Sequence, residues 1–246
     1  MATVDLNADV GEGAGQDEAI FPLITSANIA CGGHAGDEMT MRAAVDLALR
    51  CNVAIGAHPG FEDRADFGRT ERGISPAEAQ DLIVRQVRAL QVVAAARGAR
   101  VTHVKPHGAL YNQAARDPVL ADAIAAGIAA VDPALVLFGL AGSVLLAAGA
   151  IHGLRVASEV FADRRYQANG SLVPRSRPDA LIATWTEAAA QVLRMVRAGE
   201  VAAVTGEVVS VRADTICLHG DSPHAVSFAQ RLRAMLLHEN CSISRV

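Results

Sequence analysis

Lysine is all but absent. Of the 22 basic residues, Lys105 is the one lysine and the other 21 are arginines. Basic runs are absent too, and the net charge is −4, so the chain lacks the electrostatic footprint of a nucleic-acid binder. The four cysteines, Cys31, Cys51, Cys217 and Cys241, are scattered singly, which excludes a disulfide framework and a paired-cysteine metal knuckle. Gly, Asp or Arg interrupts every apolar stretch before the roughly 18 residues that a membrane span needs. The opening Met1-Ala-Thr-Val-Asp5 carries no basic region of the kind that begins an export signal. The expectation is a reduced, soluble, cytoplasmic protein. What the chain does have is a 51% hydrophobic, 20% charged composition over 246 residues, enough to build one domain over residues 1–246.

Short apolar runs alternate with longer helical patterns, the signature of βα units on a parallel sheet. Strands are expected at Thr3–Asp9, Ser26–Cys31, Val53–Ala57, Val101–Lys105, Leu135–Leu140, Arg155–Phe161 and Thr215–His219. Helices are expected over Glu38–Arg50, over Ser75–Arg97 and from Ser143 to His152. Others open at Asp117-Pro118, Asp179 and Ser222-Pro223, running to Val131, Arg197 and Glu239. Ser75 with Pro76 and Glu78 has the form of a capping box. Val201–Val211, with Gly206 at its middle, reads as a hairpin. Seven strands in this order point to an irregular, seven-stranded (β/α) barrel, with a doubly wound open sheet as the alternative.

Polar residues gather where these strands end, the edge at which sites form in both architectures. Asp5, Asn7 and Asp9 alternate along the first run and so share a face. Asn28 and His34 follow from the second strand, His58 from the third, and His103, Lys105 and His107 from the fourth. Glu159, Asp163 and Arg164 come from the sixth, and His219 and Asp221 from the seventh. Carboxylates on one interior face are costly unless paired, protonated or ligating, so Asp5, Asn7 and Asp9 read as functional. So does Lys105 in a chain that otherwise writes Arg, although a structural pair with Asp9 or Glu159 is the competing explanation. The bland reading is preferred for Asp37 as a helix cap, Cys31 as a small buried apolar group, and His152 and His238 as ordinary histidines. Gly11-Glu-Gly13-Ala-Gly15 matches neither phosphate-loop fingerprint. His34, His58 and Asp9 are the donor types of a divalent-metal site, but spacing alone does not join them.

Six ordered blocks together resemble one family. They are Asp5-Leu-Asn-Ala-Asp-Val-Gly-Glu12, Asn28-Ile-Ala-Cys-Gly-Gly-His-Ala-Gly-Asp37, Gly56-Ala-His-Pro-Gly60 with Phe67-Gly-Arg69, His103-Val-Lys-Pro-His-Gly-Ala-Leu-Tyr-Asn112, Glu159-Val-Phe-Ala-Asp-Arg164 and Ile216-Cys-Leu-His-Gly-Asp221. The chain is similar to the LamB/YcsF family along essentially its whole length. The resemblance implies an irregular barrel of the glycoside hydrolase/deacetylase kind and hydrolysis of 5-oxo-L-proline to L-glutamate coupled to ATP. It further implies ATP with Mg²⁺ as cofactor, a bound divalent metal as a further option, and two partner subunits, B and C, similar to allophanate hydrolases. On that basis Asp9, His34, His58, Lys105, His107, Glu159 and His219 are assigned to catalysis, and Asn7, Asn28, Arg69, Asp163, Arg164 and Asp221 to substrate. Two rivals stand beside this reading: a metal-dependent, deacetylase-like amide hydrolase and a non-catalytic protein that only binds substrate for its partners.

Overall fold

A computed structural model describes residues 2–218 and 225–246. In chain order its elements are β1 (Thr3–Val10), α1 (Asp17–Ile20), a 3-10 turn (Phe21–Leu23), β2 (Ser26–Ala30), α2 (Glu38–Cys51), β3 (Ala54–His58), α3 (Pro76–Ala95), β4 (Val101–Val104), α4 (Gly108–Ala114), α5 (Pro118–Val131), β5 (Val136–Leu140), α6 (Val144–Ile151), β6 (Arg155–Phe161), α7 (Trp185–Ala198), β7 (Glu200–Ala202), β8 (Val208–Ser210), β9 (Thr215–Leu218), α8 (Ala225–His238) and β10 (Ser242–Ile243). Strands β1 to β6 pair in sequence and in parallel, and β9 lies between β6 and β1. Asp5 faces Thr215 across β1 and β9, and Thr215 faces Glu159 across β9 and β6. That closure makes a seven-stranded barrel and overturns the open-sheet alternative. The barrel is irregular at β4, whose register against β3 shifts at Ile55/Gly56 and which meets β5 through only two residue pairs.

Local chemistry explains most boundaries. Asp37 and Thr40 close a capping box on α2, as the bland reading of Asp37 required, and Ser75 and Glu78 close another on α3 with Pro76 at its start. β7 and β8 form the expected antiparallel hairpin. One helix start needs correcting: α7 opens at Trp185, because Thr184 accepts from the Glu187 amide and acts as its cap. Asp179 instead pairs with Arg177. No helix among the described residues is long and apolar enough to cross a membrane.

The main apolar core lies between barrel and helices, while the barrel interior is largely polar. A small apolar group of Val136, Phe138 and Ala157 fills one side. On the other, Asp5 accepts from the hydroxyls of Thr25, Ser26 and Thr215 at 2.5–2.7 Å. Burial raises the Asp5 pKa, and those three donors work against the shift. Asn7 donates to Glu159 and Thr215, and Asn28 donates to Asn7 and Asp9. His103, read from the sequence as a residue of the rim, belongs here instead. It bonds Asn28 Oδ1 and stacks on Phe138, and burial lowers its pKa to about 3, so it is neutral. Gly56 leaves the room for this ring: a Cβ there would lie 2.0 Å from His103 Nε2. Gly56→Ala is therefore expected to lower the unfolding free energy by about 1–3 kcal/mol or more, read from the urea midpoint. An unchanged midpoint would mean the ring is free to move.

Candidate active site

Lys105 follows β4, and its side chain ends at the floor of a cavity of about 590 Å³ at the strand C-termini. Its ammonium sits 2.9 Å from Asp9 Oδ1, 2.9 Å from Glu159 Oε1, 3.1 Å from Cys217 Sγ and 3.3 Å from Asn7 Oδ1. Burial alone would lower its pKa, but Asp9, Cys217 and Glu159 together outweigh that and hold it well above the ordinary value. Lys105 is thus a permanent cation, not a base. Glu159 also accepts from the Tyr111 hydroxyl at 2.7 Å and is fully enclosed. The competing structural explanation is therefore partly right: the pairs exist, yet the same ammonium lines the cavity.

Beside it stand three histidines and Glu12. His58 Nδ1 donates to the backbone carbonyl of Lys105 at 2.7 Å, and His107 Nε2 donates to that of Phe67 at 2.9 Å. Both tautomers are thereby fixed, and the remaining nitrogens, His58 Nε2 and His107 Nδ1, face each other at 2.9 Å. Two lone pairs do not face at that distance without a proton or a cation between them. His34 stacks on His107 at 3.6 Å, reaches Glu12 Oε1 at 2.9 Å and leaves Nδ1 buried without a partner. Glu12, His34, His58 and His107 each offer a donor atom within 4.8 Å of the others. Burial lowers His34 and His107. It pulls His58 the same way, but the Asp9 and Glu12 carboxylates prevail and raise it. Asp9 Oδ2 lies 3.4 Å from His58 Nε2.

The wall behind this cluster is a turn that side chains rarely allow. Phe67 has φ +54° and Gly68 φ +61°. That path turns the Phe67 carbonyl to His107, and a Cβ on Gly68 would lie 2.8 Å from His34 Cβ. The match of LamB/YcsF family sequences runs over residues 4–246.

The chain belongs to the LamB/YcsF family.

Among its relatives is a 5-oxoprolinase subunit from Erwinia tasmaniensis, 55% identical over 241 residues that span 98% of each chain. The crystal structure of the lactam utilization protein from Thermus thermophilus superposes with a TM-score of 0.92 at 45% identity, covering 99% of this chain and all of that one. The catalytic domain of a peptidoglycan N-acetylglucosamine deacetylase from Eubacterium rectale, at 10% identity and TM-score 0.52 over 99% of this chain and 88% of the other, shares the fold alone. The barrel expected from the family blocks is therefore the one found.

In this LamB/YcsF barrel Asp9, His58, Lys105, His107, Arg69 and Arg164 line the cavity. His34 lies behind His107. Asn7, Asn28 and Glu159, assigned from the sequence to substrate or chemistry, lie beneath the floor and act on it through Lys105 and Asp9. Asp163 is half-buried beside the cavity and not on its wall. His219 and Asp221 fall outside the described residues. Glu12 and Tyr111, which the sequence does not mark for a role, prove central. Cys31 behaves as a buried apolar group, its thiol bonded to the Ile29 carbonyl and pushed by burial to about 12.

The donor set is rich in imidazole, which suits zinc and its neighbours and not magnesium. Two of its histidines already donate their second nitrogen to backbone carbonyls, as metal-bound histidines do, and a cation would resolve the facing lone pairs. The residues fit a divalent ion of that class.

Proposed function

We propose that this chain is the hydrolytic component of a multi-protein assembly that opens 5-oxo-L-proline to L-glutamate at the expense of ATP. The observation that carries the reading is the buried Lys105 ammonium at the cavity floor with Asp9 and His58 beside it, in a chain 55% identical to a protein named for that activity.

A five-membered lactam is an unstrained amide and a poor electrophile. Phosphorylation of its oxygen from ATP·Mg²⁺, in the complex with subunits B and C, makes the ring carbon attackable. Water then adds to that carbon, the C–N bond breaks with a proton delivered to nitrogen, and a second water releases phosphate. Lys105 holds the carbonyl or phosphoryl oxygen from the cavity side of its ammonium. Asp9, beside His58, takes the proton of water and returns it to the leaving nitrogen. Glu159 and Asn7 position Lys105 and do not touch the substrate. Glu12, His34, His58 and His107 would hold a divalent ion, which when bound would supply Lewis-acid polarisation.

The histidine cluster also favours one alternative, an ATP-independent, metal-dependent amide hydrolase. A reconstitution separates the two: the chain with and without its partners, 5-oxoproline and ATP, measuring glutamate and phosphate. Glutamate only with partners and ATP supports the proposal, and glutamate from the isolated chain without ATP favours the alternative. The metal is tested apart from activity. Elemental analysis of the purified chain is expected to find a divalent transition ion close to stoichiometric, lost in His58→Asn/His107→Asn. Background metal in the wild type would leave only a shared proton between those two rings.

A further inference from the structure

Many arginines among the described residues are paired, for example Arg72 with Asp63, Arg85 with Glu62 and Asp81, Arg116 with Glu71, Arg165 with Glu187 and Arg194 with Glu200. Arg164 differs. It is only 4% exposed, yet among the described residues no carboxylate lies within ion-pair distance of its guanidinium. Its one hydrogen bond runs from Nη2 to the Val173 carbonyl at 2.7 Å, and Nε has no partner. An unneutralised buried charge costs several kcal/mol. Burial, with Arg175 close by, lowers its pKa to about 10, which leaves it charged. Arg175 lines the same cavity and also makes no ion pair among the described residues. Neither of these two cations has a carboxylate in ion-pair contact among the described residues; Asp163 offsets Arg164 only through space, and Arg175 is open to solvent.

At the floor the charges are already matched, Lys105 by Asp9 and Glu159. The unmet positive charge of the cavity is therefore at the Arg164 wall, and Phe161, Leu172 and Val173 supply apolar surface next to it. The volume is of the size that receives ligands much larger than one small ring, roughly 300–1,000 Å³. A ring on the floor leaves room for its charged substituent at this wall.

We propose that Arg164 and Arg175 form the oxyanion subsite that takes the carboxylate of 5-oxoproline, and so set the preference for this acid-bearing ring over a neutral lactam. This rests on the function proposed above. A guanidinium suits the task because its planar fork matches a carboxylate in two parallel hydrogen bonds. The ligand supplies the negative charge that the fold withholds, which makes Arg164 a residue kept for binding at a cost in stability.

The test is titration calorimetry and steady-state kinetics on the full chain in its reconstituted complex. The probes are 5-oxoproline, 2-pyrrolidinone (the same ring without the acid group) and inorganic phosphate. Wild type is expected to prefer 5-oxoproline over 2-pyrrolidinone by about 10- to 100-fold in binding. Arg164→Met and Arg175→Ala are expected to raise KM for 5-oxoproline and erase most of that preference. Arg164→Met should also leave the melting temperature of the ligand-free chain unchanged or higher, which a residue kept for folding would not do. Arg175 is exposed, so its variant carries no risk to folding. Retention of the preference in both variants overturns the subsite. Loss of phosphate binding in both, with 5-oxoproline binding intact, overturns it equally and assigns the wall to a phosphoryl group. A wild-type complex that makes no glutamate fails the function itself, an outcome distinct from wild-type turnover with indifferent arginine variants.

Discussion

Lys105→Arg, in the reconstituted complex, is expected to lower glutamate release by about 10²- to 10³-fold, the scale of removing one preorganised electrostatic donor. The charge survives the substitution, so the loss would be one of shape. The ammonium occupies a slot between Asp9, Glu159, Asn7 and Cys217, with all four acceptors at 2.9–3.3 Å. A guanidinium is planar, wider and directs five donors in a fixed fork. It cannot sit among these acceptors and still turn a donor to the substrate oxygen. Near-wild-type release by Lys105→Arg would remove Lys105 from the chemistry.

Glu159→Gln is expected to cost about 1–3 kcal/mol of stability, because Lys105 keeps Asp9 but loses one of its two buried counter-charges. Glu159 accepts from Asn7, Lys105 and Tyr111 and is wholly enclosed. A carboxamide puts an N–H₂ where one of those donors points. The double variant Lys105→Met/Glu159→Gln removes both charges and is expected to recover most of the loss in urea melts, while glutamate release stays abolished. Recovery of stability together with activity would make the pair purely structural. The lysine pKa is raised in the fold, so its stabilisation is complete below the ordinary lysine value of 10.5 and is lost only as pH climbs through the higher folded value. The pair therefore adds no pH slope from the lysine side in the neutral range.

The strands are legible because each is a short apolar run with turn chemistry at its ends, and the alternation of Asp5, Asn7 and Asp9 does place all three inside the barrel. The same alternation puts His103 on the face of Lys105 two residues earlier, hence inside and not at the rim. Position along the strand decides the rest: of the three residues of β1 only Asp9 reaches the cavity, and the others work beneath it. Glu12 is hard to see because β1 ends at Val10 and Gly11, at φ +72°, breaks the alternation. Tyr111 is hidden in α4, a seven-residue helix after Lys105-Pro106 that is not among the helices expected from the sequence. A signal for it exists: Tyr111 stands four residues after His107, one helical turn away. The start of α7 is misleading because Asp179 resembles a cap in sequence, while its side chain is spent on Arg177. The imidazole cluster depends on tautomers set by the carbonyls of Lys105 and Phe67, contacts between distant segments that spacing does not encode.

The most direct measurement is a crystal structure of this chain soaked with 5-oxoproline. The lactam carbonyl oxygen is expected within hydrogen-bond distance of Lys105 Nζ, with the ring carbon open to a water beside Asp9 and His58. A lactam bound with its carbonyl turned away from Lys105, or seated outside the cavity, would contradict a hydrolytic site at this rim of the barrel.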